Sequence, residues 1–323
     1  MDYRVGVDLG GTKMLLALAA GDDGEIIRLK KVPTRAREGP QSVLRRLIGN
    51  IEEILFDEGL PFNKLEGIGL CIAGFYDIRS RQMISSPNLP GWEMFPLERE
   101  LKERLHLPII IENDANAAAY GEFVFGAGRG TKNMVNITLG TGIGGGIIVE
   151  GKIYRGSGGF AGEIGHLNVL HNGPLCGCGR YGCVESLSSG SAIEREWRLI
   201  SSGNSLRPEP GITMETSAGL QASQIFAAAR DGNPDAIKIV ERAAYYFGLA
   251  LSYVVNILNP EMIVVGGGLA GYGDFFIDRA SCYLNEAAIS PSGKMAVLVP
   301  AELGEEAGVK GVLSLLDELL KGR

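Results

Sequence analysis

Residues 3–20 read YRVGVDLGGTKMLLALAA, and residues 134–149 read MVNITLGTGIGGGIIV. In the first stretch, Tyr3 to Val7 alternate as a strand, Asp8-Leu9-Gly10-Gly11-Thr12-Lys13 forms a glycine-rich turn, and Met14 to Ala20 return as a second strand. The second stretch repeats the plan: strand Met134 to Leu139, turn Gly140 to Gly146, strand Ile147 to Val149. Asp8-Leu-Gly-Gly aligns with Thr138-Leu-Gly-Thr. A later landmark also recurs, an apolar strand running into a glycine turn at Gly67 to Gly74 and again at Met262 to Gly268. Internal duplication of two α/β domains accounts for both repeats.

Helical periodicity lies between these landmarks. From Ser42 to Asp57, Val43, Leu44, Leu47, Ile48, Ile51, Ile54 and Leu55 form one apolar stripe. Pro234 to Leu258 is a longer helix, capped by Asn233 with proline at its first position and stopped at Asn259-Pro260. Residues 204–219 have scattered Pro, Gly and Ser and no period, which predicts a surface loop. Strands alternate with helices throughout, so the class is α/β.

The 323 residues suffice for roughly two domains. A net charge of −7 with interleaved signs offers no basic face to a phosphate backbone, which excludes nucleic acid as a partner class. The opening residues carry no basic start with an apolar core, and no apolar run approaches a bilayer span. A cytoplasmic location without membrane association is expected.

A strand, a turn of small residues with a hydroxyl, and a second strand can present backbone N–H groups to an anion. Alone, each turn is an ordinary tight hairpin. Two at matching places, with Gly266-Gly267-Gly268 ahead of a helix, point to a nucleotide triphosphate gripped by Gly10, Gly11, Thr12 and Lys13 and by Gly140, Thr141 and Gly142. Asp8 would hold Mg2+ through water. Neither turn is a P-loop or a G-x-G-x-x-G fingerprint at a strand-to-helix junction.

The strand Pro108 to Ile111 runs into Glu112-Asn113-Asp114, after which Ala117 to Phe125 has helical spacing. Asp114 therefore sits at or near a helix N-terminus, where the dipole favours an ionised carboxylate. It is either a plain N-cap or a general base taking the proton of a substrate hydroxyl as that oxygen attacks a γ-phosphoryl group. Phosphoryl transfer asks mainly for positioning and charge stabilisation, which one carboxylate, Mg2+ and two turns supply.

His166, Cys176, Cys178 and Cys183 are spaced H-x9-C-x-C-x4-C among glycines, the donor set of a closed tetrahedral zinc site. Disulfides, or three unrelated thiols, are the alternatives. Glu163 and Glu185 flank the cluster, and two carboxylates held by such a loop suit a sugar. Cys71 and Cys282 lie in apolar patterns that suit small core residues, His106 reads as a surface residue, and His171 has no assigned role.

These motifs together resemble the ROK family of sugar kinases and repressors, within the actin-like, hexokinase-type superfamily. DLGGTK at Asp8, LGTGIGGG at Leu139 and VVGGGLA at Val264 resemble its phosphate and adenosine segments. ENDANAAA at Glu112 resembles the segment of its catalytic aspartate, here Asp114. GEIGH at Gly162 and CGCGRYGCVE at Cys176 resemble its paired signatures, and SSPNLPGW at Ser85 is similar to a loop of its glucose-specific members. The resemblance implies a duplicated actin-like, ribonuclease H-like ATPase fold with two domains around a cleft: a small domain at 1–113, a large one at 114–303, and a helix at 304–323 returning to the small domain. It implies that Asn88, Asn113, Asp114, Glu163, His166 and Glu185 bind sugar hydroxyls, with His166 also a zinc ligand. ATP-dependent phosphorylation of glucose or a related hexose (N-acetylmannosamine, N-acetylglucosamine, fructose or allose) is expected, from a homodimer or homotetramer. Ala73, where proline is commoner, and Tyr120, where leucine is commoner, bear on the sugar preference. A sugar-sensing repressor would need a DNA-binding module of dozens of residues, whereas seven precede Asp8. An actin-like assembly protein would have no use for the cysteine loop.

Overall fold

The computed structural model describes residues 2–21, 24–201 and 220–322; the loop expected at 204–219 lies outside the described residues. In chain order the elements are β1 (Tyr3–Leu9), β2 (Lys13–Ala20), β3 (Glu25–Pro33), α1 (Pro40–Asp57), β4 (Leu65–Ile72), β5 (Phe75–Asp77), β6 (Gln82–Ser85), α2 (Leu97–Leu105), β7 (Ile109–Asn113), α3 (Asp114–Phe125), β8 (Met134–Leu139), β9 (Ile143–Val149) and β10 (Lys152–Ile153). There follow α4 (Glu185–Ser188), α5 (Gly190–Ser201), α6 (Ala222–Arg230), α7 (Pro234–Leu258), β11 (Met262–Gly266), α8 (Asp278–Ala287), α9 (Ser292–Met295), β12 (Val297–Pro300) and α10 (Ala307–Lys321).

The duplication is visible in the strand orders, β3-β2-β1-β4-β7 in one sheet and β10-β9-β8-β11-β12 in the other. In the first, β1 pairs antiparallel with β2 and parallel with β4. In the second, β8 pairs parallel with β11, and β11 with β12. The β1–β2 turn is shorter than the glycine pattern suggests, because Asp8 and Leu9 remain in the ladder opposite Leu15 and Met14. Likewise β9 begins at Ile143, leaving Gly140-Thr141-Gly142 to make the second turn.

The chain divides into two compact units. The first comprises residues 1–130, 146–162 and 303–323; the second comprises 131–145 and 163–302. The first thus extends past residue 113 to take in α3, because α3 packs along α10. That packing rests on glycine: a Cβ on Gly311 would lie 1.8 Å from the Ala117 carbonyl oxygen, and one on Gly121 would lie 2.2 Å from that of Ala307. On the sheet below, Gly6, Gly67 and Gly69 make room for Leu313, Leu316 and Val312 of α10. The opposite face of this sheet is covered by α1, whose Val43, Leu44, Leu47, Ile51, Ile54 and Leu55 are buried as the stripe predicts. Each such side chain contributes about 1.5–3 kcal/mol of transfer free energy.

In the second unit α7 runs from Pro234 to Leu258, with the Asn233 side chain accepting hydrogen bonds from the Asp235 and Ala236 N–H groups. Gly248 lets α8 approach, since a Cβ there would lie 2.4 Å from the Ala280 carbonyl oxygen. Cys71 is buried in the first unit as expected, but Cys282 is exposed. The apolar pattern around Cys282 belongs to the α8 face carrying Ala280 and Leu284, and position 282 falls outside it. His106 is exposed and ends α2 in the left-handed region, at φ 52°.

Candidate active site and metal centre

In the first unit the strand-to-helix corner between β7 and α3 places Asn113 and Asp114. Asn113 is the N-cap: its Oδ1 accepts from the N–H groups of Ala115 (2.9 Å) and Asn116 (3.1 Å). Asp114 is the first helical residue, so the plain N-cap alternative for it is set aside. Its Oδ1 accepts from the Ala115 N–H at 2.9 Å and from Asn113 Nδ2 at 3.1 Å. The same Nδ2 donates to the Gly74 carbonyl at 3.2 Å. These two donors and its place in the first turn of α3 orient the carboxylate.

The first glycine turn is closed by Gly10 N–H to the Lys13 carbonyl (3.1 Å) and by the Thr34 hydroxyl to the Gly10 carbonyl (2.6 Å). Thr12 and Lys13 are exposed at its tip. Lys13 Nζ meets Glu305 at 2.6 Å, and Lys31 meets the same carboxylate at 2.8 Å. Hydrogen bonds from Lys13 and Lys31 hold the Glu305 carboxyl down to about 2. Asn88, also exposed, lies over the turn, where a Cβ on Gly11 would be 2.5 Å from the Asn88 carbonyl oxygen.

Adjacent parallel strands set Asp8 opposite Cys71, and Cys71 opposite Glu112, so two acids and a thiol form a row at the strand ends. Burial pushes the Asp8 carboxyl up, against the Cys71 hydrogen bond and the Lys13 charge, which lower it. Gly308 of α10 covers this row, since a Cβ there would stand 3.0 Å from the Cys71 sulfur and 3.3 Å from Asp8 Oδ2.

In the second unit Gly140 and Thr141 open onto a cavity of about 360 Å³, also lined by Gly190, Ser191, Glu194, Gln221, Gly268 and Tyr272. Of the predicted glycine triplet, Gly268 lines the cavity. Gly267 has a packing role at φ 89°, where a Cβ would lie 2.4 Å from the Leu139 carbonyl oxygen, and Gly266 ends β11. Tyr272 stacks on Phe226 at 4.1 Å, with Arg230 5.6 Å from its ring centre. Ser191, Glu194, Gln221 and Tyr272 carry no local pattern and are brought together only by the fold.

The four ligand atoms of His166, Cys176, Cys178 and Cys183 lie within 4.8 Å of one another. His166 Nδ1 is 3.6 Å from the Cys176 sulfur, and the sulfurs of Cys178 and Cys183 are 3.7 Å apart. All five cysteines are free, so disulfides do not account for the cluster. Three thiols and one imidazole nitrogen at these separations match a four-coordinate metal centre in number and softness. His166 turns its other nitrogen toward Glu163, with Nε2 to Oε2 at 3.9 Å, so one ring addresses both the cluster and an acid expected to bind substrate. Glu185, first residue of α4, places Oε1 3.5 Å from the Cys176 sulfur and accepts from the Ile143 N–H through Oε2 at 2.9 Å.

Comparison with known proteins agrees with these motifs. The ROK family profile matches residues 4–318. The chain is 37% identical over 312 residues to a glucokinase of Halalkalibacterium halodurans, covering 96% of this chain and 93% of that protein. Among solved structures, a ROK hexokinase from Thermus thermophilus superposes with a TM-score of 0.81 at 33% identity, covering 99% of this chain and 100% of that one. A ROK family glucokinase from Streptomyces griseus, in complex with glucose and AMPPNP, superposes with a TM-score of 0.78 at 32% identity, covering 97% and 98%. The protein belongs to the ROK family, and its two repeated sheets are that family's duplicated actin-like ATPase fold.

Proposed function

We propose that this protein is an ATP-dependent glucose kinase that transfers the γ-phosphoryl group to the sugar 6-hydroxyl. The observation that carries the reading is the Asn113–Asp114 corner, an oriented carboxylate at a helix N-terminus, in a chain similar over nearly its full length to a glucokinase crystallised with glucose and AMPPNP. Asp114 accepts the hydroxyl proton as the oxygen attacks. Asn88, Asn113, Glu163, His166 and Glu185 hold the remaining sugar hydroxyls. Gly10, Gly11, Thr12 and Lys13, with Gly140, Thr141 and Gly142, bind the phosphates. The cavity beside Thr141 and Gly268 takes the nucleoside, and Gly266 and Gly267 hold its wall.

The Asp8 carboxylate is suited to hold Mg2+, which would arrive with the nucleotide and would supply charge neutralisation at the phosphates. His166, Cys176, Cys178 and Cys183 would hold zinc, whose contribution is to fix the loop between Glu163 and Glu185. Four protein ligands would leave such an ion no open position for a water, so its role there would be structural. Among the described residues no helix is long and apolar enough to cross a membrane, and the reading carries a cytoplasmic location, where ATP is supplied. It also carries a homodimer or homotetramer, to be tested by light scattering.

A coupled assay of the purified protein against a panel of hexoses tests the reading. Glucose is expected to give the highest kcat/KM, with activity dependent on Mg2+ and ATP. An N-acetylated hexosamine exceeding glucose would overturn the sugar assignment, and absence of phosphorylation across the panel would overturn the kinase.

A further inference from the structure

The Glu112 carboxylate, whose side chain is 4% exposed, lies one residue before Asn113 and two before Asp114. Its Oε1 accepts from the Asn113 backbone N–H at 3.1 Å and from Asn116 Nδ2 at 3.0 Å. Its Oε2 accepts from Arg155 Nε at 2.6 Å. One buried anion thus ties the end of β7, the first turn of α3 and the segment after β10 to a single point. Asn116 is 1% exposed and leaves its own Oδ1 without a hydrogen-bond partner while giving Nδ2 to Glu112, so the carboxylate dictates how this amide is oriented.

Burying a carboxylate is costly unless a cation and further donors compensate it, and removing one partner of such a pair costs more than the pair itself contributes. Arg155 supplies that cation from 43 residues away. Its own backbone is fixed on both sides of the guanidinium: the Tyr154 N–H donates to the Ile147 carbonyl at 2.8 Å, and the Ala161 N–H donates to the Arg155 carbonyl at 3.1 Å. The planar Nε–H approach therefore sets where the Glu112 carboxylate points, and through it the plane of the Asn113 peptide. That peptide leads directly to Asp114.

We propose that Arg155 and Glu112 form a positioning pair that aims Asn113 and Asp114 at the sugar hydroxyl; this deepens the kinase reading and rests on it. Arg155 acts through Glu112 and takes no part in proton transfer. A base misplaced by a fraction of an ångström loses rate even where its chemistry is intact, which is the effect the pair prevents.

The test compares Arg155→Met, Arg155→Lys, Glu112→Gln and the double variant Glu112→Gln/Arg155→Met in the full-length protein, measuring melting temperature together with kcat and the KM for glucose and for MgATP. Arg155→Met strands a buried carboxylate, so both stability and kcat fall. The double variant removes the stranded charge, so its melting temperature recovers. Its kcat is expected to stay about 10- to 100-fold below wild type, with the KM for MgATP within about twofold, because a neutral amide without the guanidinium does not fix the corner. Arg155→Lys keeps the charge without the planar donor and should recover part of kcat. Recovery of kcat in step with melting temperature in the double variant would reduce the pair to a stability element and overturn the proposal, as would wild-type kcat in Arg155→Met. If the wild type phosphorylates no hexose, the kinase reading itself fails and the positioning role falls with it, an outcome distinct from any change confined to the variants.

Discussion

The Ile143 backbone N–H donates a 2.9 Å hydrogen bond to the Glu185 carboxylate, joining the end of the cysteine loop to the second glycine turn. The contact is reinforced nearby. A Cβ on Gly165 would stand 2.1 Å from the Ile143 carbonyl oxygen, and the Gly190 N–H donates to the Gly140 carbonyl at 2.8 Å. The proposed metal centre and the proposed phosphate turn therefore share one rigid patch of backbone.

Removing the metal should act on both substrates unequally. Cys178→Ala, or treatment with a chelator, is expected to lower glucose affinity at least about tenfold, because the order of the loop depends on the metal free energy. Nucleotide affinity should drop less, through Glu185 and Ile143 alone. Titration calorimetry with glucose and with AMPPNP, beside elemental analysis for one zinc per chain, checks this; a zinc-free protein binding glucose at full affinity would refute the ligand assignment.

Asp114→Asn keeps the shape of the N-terminal turn and the donors around Oδ1 while removing the base. The expected loss in kcat is about 10²- to 10⁴-fold, the range for a general base, with glucose binding largely retained. Steady-state kinetics and a binding isotherm on the same preparation separate the two quantities. Near-normal kcat would leave Asp114 as a helix-terminal acid only.

Asp8 predicts a trade between stability and function. Burial raises its folded carboxyl above the ordinary 3.8, so as pH rises from about 3.8 the unfolded chain releases this proton first. The folded state then holds more protons, and its stability declines until the folded group has also ionised. Asp8→Asn escapes that penalty, so at pH 7 its melting temperature should exceed wild type by a few degrees, the gap closing below about pH 3.8. Its Mg2+-dependent activity should be lost. A variant less stable than wild type at pH 7 would contradict the sign.

Gly311→Ala places a methyl group 1.8 Å from the Ala117 carbonyl oxygen, a distance only movement of α10 away from α3 can relieve. Overpacking of this kind costs about 3 kcal/mol or more. Chemical denaturation measures it, and a change below about 1 kcal/mol would show that the helix crossing is adaptable.

The local signals were the readable ones. Glycine turns, the Asn233-Pro234 cap, the α1 stripe and the cysteine spacing each lie within a few residues, where periodicity and turn chemistry act, and they placed both turns, the α7 limits and the cluster of His166 with Cys176, Cys178 and Cys183. Asp114 was legible as near a helix start, but that Asn113 caps the helix depends on the rotamer its side chain adopts. Strand β3 was missed because its alternation is masked by Glu25, Arg28, Lys30 and Lys31, the charged dressing of an edge strand. The pairing of Arg155 with Glu112, and the meeting of Gln221 with Thr141 around one cavity, join residues far apart in sequence and leave no periodic trace.

Helix α10 belongs to the first unit although it follows the whole of the second in sequence. Its Val309 and Leu313 are buried against Ala17 and Ala19 of β2, and Val312 against Cys71 of β4. On the ribosome, at about 5–20 residues per second, the strands that carry Asp8 and Asn113 must therefore wait roughly 10 seconds or longer with one sheet face uncovered. The second unit has all its own strands and helices before α10 emerges, so it can finish first, inverting the usual N-to-C order of assembly. During that interval the exposed sheet is the surface on which a chaperone would act, and a stalled or prematurely released chain would hold a completed second unit while the first still lacks the helix that covers its sheet.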